Sequence, residues 1–291
     1  MTVSCFLREH LYTHQITTLL KHTENSILVN NIWVHVNHCL STGDILHITV
    51  PEIPVNEKIE PCDIPLDIIF EDEDIVIINK PADMPIHPSL KHYTGTLANA
   101  LAYHYFNEKS PFIFRCINRL DRDTTGITIV AKNIYSAAVL SAQMRNRQIR
   151  RTYIAIVEDI PNPSEGCISA PIARVNDSII TRCVDFENGE RAVTNYKVLN
   201  STNSPYGPLS FVELHLETGK THQIRVHMSY LGHPLIGDFL YNPDSAYNEL
   251  IGRQALHASK IQFTHPITGK DMTIVAPLPK DMMSIEKLLQ T

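Results

Sequence analysis

Apolar positions along the chain fall into two rhythms. Near the N-terminus, Ile16, Leu19 and Leu20 keep the i, i+3, i+4 spacing of a short amphipathic helix. Two apolar runs follow, Ile27–Val29 and 32–34, joined by Asn30-Asn31. Asn tolerates the positive φ that a two-residue hairpin turn demands, so this pattern predicts a hairpin. After a Gly43-Asp44 turn, Leu46, Ile48 and Val50 alternate as a closing strand.

The stretch 51–66 holds four prolines and no apolar period, which predicts a linker. Beyond it, strands and helices interleave. The run 75–78 is continuously apolar, as expected of a strand covered on both faces. Leu97, Ala100 and Leu101 suggest a helix, and 127–131 a strand. Tyr135, Ala138, Val139 and Ala142 space as a second helix, with Arg145 and Arg147 at its far end, where cations suit the helix dipole. The stretch 211–216 alternates as a strand. Thr221 is placed to cap a helix through Ile224, Met228 and Leu231, closed by Gly232 and Pro234. Two late strands, 261–263 and 272–275, flank a Pro-Ile-Thr-Gly turn. This mixture predicts an α+β fold rather than a doubly wound one. We detect no internal repeat.

Length adds a bound: 291 residues correspond to about two domains. The hydrophobic share of 43% and charged share of 19% exclude a disordered chain. No apolar run is long enough to span a membrane, and no secretory signal is visible, so a cytoplasmic protein without membrane contact is expected. The six cysteines are scattered without a C-x-x-C pair, which favours reduced thiols. The net charge of −6 argues against indiscriminate coating of nucleic acid. Read by position, it is a sum of opposites. Residues 115–151 carry eight Lys or Arg against Asp121 and Asp123, whereas 43–74 carry ten Asp or Glu against Lys58. A confined cationic strip is therefore permitted.

Three segments concentrate chemistry. In Asn118-Arg119-Leu120-Asp121-Arg122-Asp123-Thr124-Thr125-Gly126, a carboxylate flanked by arginines would be held ionised and could act as nucleophile or base. The competing interpretation is a surface turn stitched by Arg–Asp pairs. In the second segment, 217–227, His222 and Arg225 share one helix face, and Arg225 could meet a distant carboxylate. A structural salt bridge is the plainer alternative there. The third, 79–88, is stiffened by three prolines that would fix Lys80 and His87 in space, as a cleft wall or as a rigid connector.

These segments, in this order, resemble the RluA-type family of RNA pseudouridine synthases. The blocks that carry the resemblance are EDEDIVIINKPADMPIHPS, NRLDRDTTGITIVAKN, RRTYIAIV and LETGKTHQIRVHMSYLGHPLIGDFLY, with Leu256-His257-Ala258 before the last hairpin. Residues 5–50 resemble the small alpha-L RNA-binding module, although Arg8 and Lys21 are the only Lys or Arg there.

The resemblance implies a module at 1–55, a linker at 56–66 and a catalytic domain at 67–291 built on a mixed, largely antiparallel sheet. It implies Asp121 as catalytic aspartate, Tyr153 as the aromatic against the target base, and Arg225 as partner of Asp121. Arg119 would hold the flipped nucleotide, and Ile224 would pack beneath the base. Lys80, His87, Thr125, His222 and Gln223 complete the expected substrate contacts. The sequence departs from the family at Asn118, where His is common, and at Asp83, where Gly is usual; Asp tolerates the left-handed region.

The implied partner is RNA, ribosomal RNA first and transfer RNA second, acted on by a monomer without metal or organic cofactor. Three other functions compete. The fifteen histidines suggest a metal hydrolase, but their spacing matches no zinc motif. A non-catalytic RNA-binding assembly factor would not need Asp121. A glycosidase needs two carboxylates flanking the bond, and only Asp121 stands out.

Overall fold

The computed structural model describes residues 1–52, 59–89, 93–106, 112–176 and 178–288. Two helices, α1 (Val3–Glu9) and α2 (His14–His22), precede three short strands, β1 (Ile27–Val29), β2 (Ile32–Trp33) and β3 (Leu46–Ile48). Both Asn30 (φ 52°) and Asn31 (φ 68°) adopt the left-handed backbone that the hairpin turn requires. Strand β2 ends one residue earlier than the sequence pattern suggests, at Trp33. Helix α1 has only seven residues and was not legible from spacing; its Thr2 cap accepts from the Cys5 N–H. Val3, Leu7, Ile16, Leu20, Ile27 and Val36 form a core for these elements.

That core is not closed on itself. It continues through β4 (Ile68–Glu71), β5 (Ile75–Lys80), α3 (Leu97–His104), β6 (Arg115–Cys116), β7 (Thr125–Ala131) and α4 (Ile134–Arg145) only at the last of these, where Ile134 and Ala138 pack against it. The Tyr12 and Tyr135 rings lie 4.5 Å apart, and the Tyr135 hydroxyl donates to the His10 carbonyl. Residues 53–58 of the expected linker lie outside the described residues. The rest of it is pinned: Cys62 N–H donates to the Asn99 carbonyl, and Asn99 donates back to Glu60.

The remaining elements are β8 (Arg150–Glu158), β9 (Glu165–Ser169), β10 (Ile172–Arg174), β11 (Arg182–Val184), β12 (Val193–Ser204), β13 (Gly207–Leu216), α5 (Gln223–Tyr230), β14 (Leu256–Thr264), β15 (Asp271–Val275) and α6 (Lys280–Leu288). Among the described residues, ten strands make one sheet. Its path is β4-β5-β7-β14-β8-β13-β12-β9, with β6 on β7 and β15 on β14. Every pairing is antiparallel except β7 with β14. That parallel step brings the end of the chain back into the centre of the sheet. It depends on Gly126, at φ +108°, where a Cβ would lie 2.3 Å from the Ala258 carbonyl oxygen. The α+β class and mixed, largely antiparallel sheet match the sequence expectation.

One local expectation fails. Thr221 does not cap α5; His222 occupies that position at φ 58° and makes no side-chain cap bond. The left-handed turn aims His222 off the helix axis, toward Asp121.

Candidate active site

Asp121 stands on a four-residue turn between β6 and β7, closed by Thr124 N–H donating to its carbonyl. The turn is held from two sides. Beneath it, the Lys80 ammonium donates to the carbonyls of Pro81, Met84 and Arg122 at 2.7–2.9 Å. From the other side, Arg253 donates to the Asp123 carbonyl while its guanidinium clamps Asp281 of α6. Asn118 explains its own place before the turn. Its amide donates to the Ile127 carbonyl and accepts from the Ile129 N–H, so it splices the turn onto β7. Asp83 takes φ 56°, the left-handed geometry its position asks for.

The outer face of this turn does carry the Arg–Asp stitching: Arg122 pairs with Asp123 at 3.0 Å. Asp121 is apart from it. Its carboxylate faces Arg225 at 3.3 Å and His222 at 3.8 Å. Arg225 is the hub. Its Nε and Nη2 donate to the two oxygens of Asp238 at 2.7 Å each, a bidentate fork that fixes the guanidinium plane and leaves Nη1 for Asp121. Asp238 is 1% exposed and Arg225 8%, whereas Asp121 keeps 27% of its surface open. Burial works against the Arg225 cation, but the Asp238 hydrogen bonds outweigh it and push its pKa up.

His222 Nδ1 lies 2.8 Å from the Tyr241 hydroxyl, which accepts from the Arg182 N–H. The arrangement satisfying all three has the Tyr241 O–H donating to Nδ1, with Nε2–H turned to Asp121. Burial lowers the His222 pKa, with Asp121 opposing and Arg225 adding to the fall. The Tyr241 ring also lies 5.0 Å beneath Arg225.

A cleft of about 1020 Å³ opens over Asp121. Its apolar floor is Leu120, Tyr153, Ile224 and Leu256. Tyr153 sits on β8 between Ala258 and Leu214, and burial raises its phenol pKa, so it stays protonated. Around this floor the described lining carries eight Lys or Arg side chains, Arg119 among them, against Asp121 and Glu217. Glu217 is paired with Arg147 and Arg191 on the rim, so an apolar slot with Asp121 above its floor and cations around it fits a planar base carried on a phosphate chain.

Comparison with known proteins agrees with this chemistry. A family model described as RNA pseudouridylate synthase matches residues 74–230. The uncharacterized RNA pseudouridine synthase YjbO of Bacillus subtilis (strain 168) is 40% identical over 287 residues, 99% of each chain. The chain belongs to the RNA pseudouridylate synthase family. Ribosomal large subunit pseudouridine synthase D of Zymomonas mobilis is 41% identical, covering 84% of this chain and 79% of its own, which identifies the branch as RluA-type. Among solved structures, Human RNA Pseudouridylate Synthase Domain Containing 1 superposes with a TM-score of 0.62 at 25% identity, over 82% of this chain and 98% of its own. The protein is thus an RNA-modifying isomerase.

Within this pseudouridine synthase, Asp121, Tyr153, Arg225, Arg119, His87, His222, Gln223 and Ile224 all line the cleft. Two expected substrate contacts do not. Lys80 is fully buried, with its ammonium taken by three carbonyls, and acts as a support beneath the turn. Burial pulls its pKa down to about 7 against Asp123 and Asp121. Thr125 is buried behind the cleft, its hydroxyl 2.8 Å from His257 Nδ1. Gln223 reaches the lining, but its amide is engaged by Thr218, Lys220, Val193 and Thr194. The residues that sequence reasoning missed are Asp238 and Tyr241. Both lie in the block ending in Gly-Asp-Phe-Leu-Tyr, where an acid thirteen residues after Arg225 was the available signal.

Proposed function

We propose that this synthase converts specific uridines of structured ribosomal RNA to pseudouridine, with Asp121 as the catalytic carboxylate. The observation that carries the assignment is the partition of roles around Arg225. Asp238 holds the guanidinium, and of these two partners only Asp121 keeps an open face to the cleft. The same geometry argues against glycosidase chemistry, because Asp238 is buried in its fork and Glu217, the other acid of the lining, is shared by Arg147 and Arg191.

The uridine must leave its stack, at a cost of about a few kcal/mol. Arg119, exposed on the cleft rim, would hold the extruded nucleotide, with the Tyr153 ring and Ile224 against the base. The C1′–N1 bond then breaks, N1 takes up a proton, and C1′ joins C5, which loses its proton. Asp121 either attacks C1′ or removes a 2′ proton to give a glycal. Arg225 and His222 hold the carboxylate in place. No redox change and no net hydrolysis occur, so the residues suffice without a metal or organic cofactor.

The ribosomal assignment rests on relatives named ribosomal large subunit pseudouridine synthase D. We take residues 1–55 as an accessory RNA-binding module, 56–66 as linker and 67–291 as the catalytic domain. The module is thin in cations, but Trp33 is half-exposed with His35 at 4.9 Å, a surface suited to stacking. We further take the protein as a cytoplasmic monomer; its six cysteines are free thiols.

RNA transcribed with 5-tritiated uridine releases tritium as C5 loses its proton. Wild-type protein is expected to release it from ribosomal RNA transcripts, and Asp121→Asn to bind the same RNA but release none. Release by Asp121→Asn at the wild-type rate would refute the catalytic assignment. Release from transfer RNA alone would move the substrate.

A further inference from the structure

A second groove, about 360 Å³, adjoins the cleft and shares Arg147, Arg151, Leu216 and Glu217 with it. Its floor is a row across three strands. His215 of β13 opposes Thr152 of β8, which opposes Lys260 of β14; one step along, Arg150 opposes Gln262. Strand alternation puts Arg150 and Thr152 on the face opposite Tyr153. The groove therefore rounds the end of the sheet, from the base slot to the other face.

Its charge is only partly compensated: Arg147 shares Glu217, and His215 faces Glu213 at 3.0 Å. Arg150 is exposed and Lys260 half-buried, and among the described residues neither makes an ion pair or a side-chain hydrogen bond. Glu217 is the acidic side chain in the lining, and it is already shared by Arg147 at 3.5 Å and Arg191 at 3.6 Å. Arg151 forms the divide. One of its terminal nitrogens donates to the Thr218 carbonyl, while its buried Nε–H has no acceptor among the described residues. Among the described residues no carboxylate pairs with Arg150 or Lys260, and a polyanion threaded past them would.

We propose that this groove is the track for the RNA strand running on from the target nucleotide, with Arg150 and Lys260 contacting its phosphates. The proposal rests on the reading that the cleft takes an extruded uridine. Once that base is in the slot, its flanking backbone must leave the cleft, and this is a cationic exit continuous with it. Such contacts act on affinity rather than on the chemical step.

The test uses the full chain carrying Arg150→Gln and Lys260→Gln together. A control pair, Lys197→Gln with Lys280→Gln, removes the same charge from positions that line neither groove nor cleft. Binding of ribosomal RNA transcripts is measured from low to high KCl, alongside tritium release at saturating RNA. The groove pair is expected to weaken binding about tenfold at 0.15 M salt and to reduce the slope of log Kd against log salt by about two. Saturated turnover should match wild type, and the control pair should change neither quantity. Wild-type affinity and slope in the groove pair, or an equal loss in the control pair, would overturn the proposal. If the wild type releases no tritium from any RNA, the catalytic reading fails, while the binding slopes still judge the groove.

Discussion

Arg225 faces two carboxylates, and their unequal burial decides what each does. Asp238, fully enclosed, fixes the guanidinium; Asp121, partly open, is left for substrate. Asp238→Ala leaves a buried cation without its main partner, which should cost about 3–5 kcal/mol in a urea melt and depress tritium release with it. Arg225→Lys keeps the charge but loses the planar fork, so one side chain can no longer span both acids. We expect a folded protein with activity down by about 100-fold, the scale of a small misplacement of a reacting group. Near-wild-type turnover in Arg225→Lys would show that only charge matters there. The residues alone left Arg225 an unspecified distant carboxylate, and the family resemblance named Asp121 as that partner. Asp238 was not legible, since a lone acid in a loop carries no periodicity. Lys80 was legible as a fixed residue but not as a buried one, because prolines signal rigidity and say nothing about which way an ammonium points.

At the scale of elements, the site depends on the parallel contact of β7 with β14. Gly126 lies between Lys80 on one side and Ala258 on the other. Gly126→Ala would strain a positive φ and drive a methyl group into the Ala258 backbone, so it should destabilise by more than about 2 kcal/mol. A thermal melt unchanged from wild type would contradict this account of the sheet. Continuous apolar runs located β5 and β7, which are buried on both faces, and the spacing of apolar residues located α4, β14 and the half-buried β15. Both signals missed α1, which is too short to show a period, and β12, whose outer half is mostly exposed polar residues. Pairing order was not legible either. Nothing local tells 125–131 to lie beside 256–264, more than a hundred residues away.

Across the whole molecule, the overall acidity hides a positive cleft, and buried histidines set an acid limit. Burial holds His227 and His257 below their ordinary 6.5, as it does His222. The unfolded chain therefore binds more protons below about pH 6.5 than the folded one. Stability should be full above that pH and fall as pH drops through the lowered values. Melts at pH 7.5 and 5.5 should show the loss, and equal midpoints would contradict it. The N-terminal unit packs on α4 through Ile134 and Ala138, so its removal should expose apolar surface. All of this turns on Asp121 making pseudouridine in a defined RNA. Transcriptome-wide pseudouridine mapping in cells lacking the gene, complemented with wild type or Asp121→Asn, tests it most directly. Ribosomal RNA sites are expected to vanish on deletion and return only with the wild-type protein. Sites restored equally by Asp121→Asn, or no site that changes at all, would contradict it.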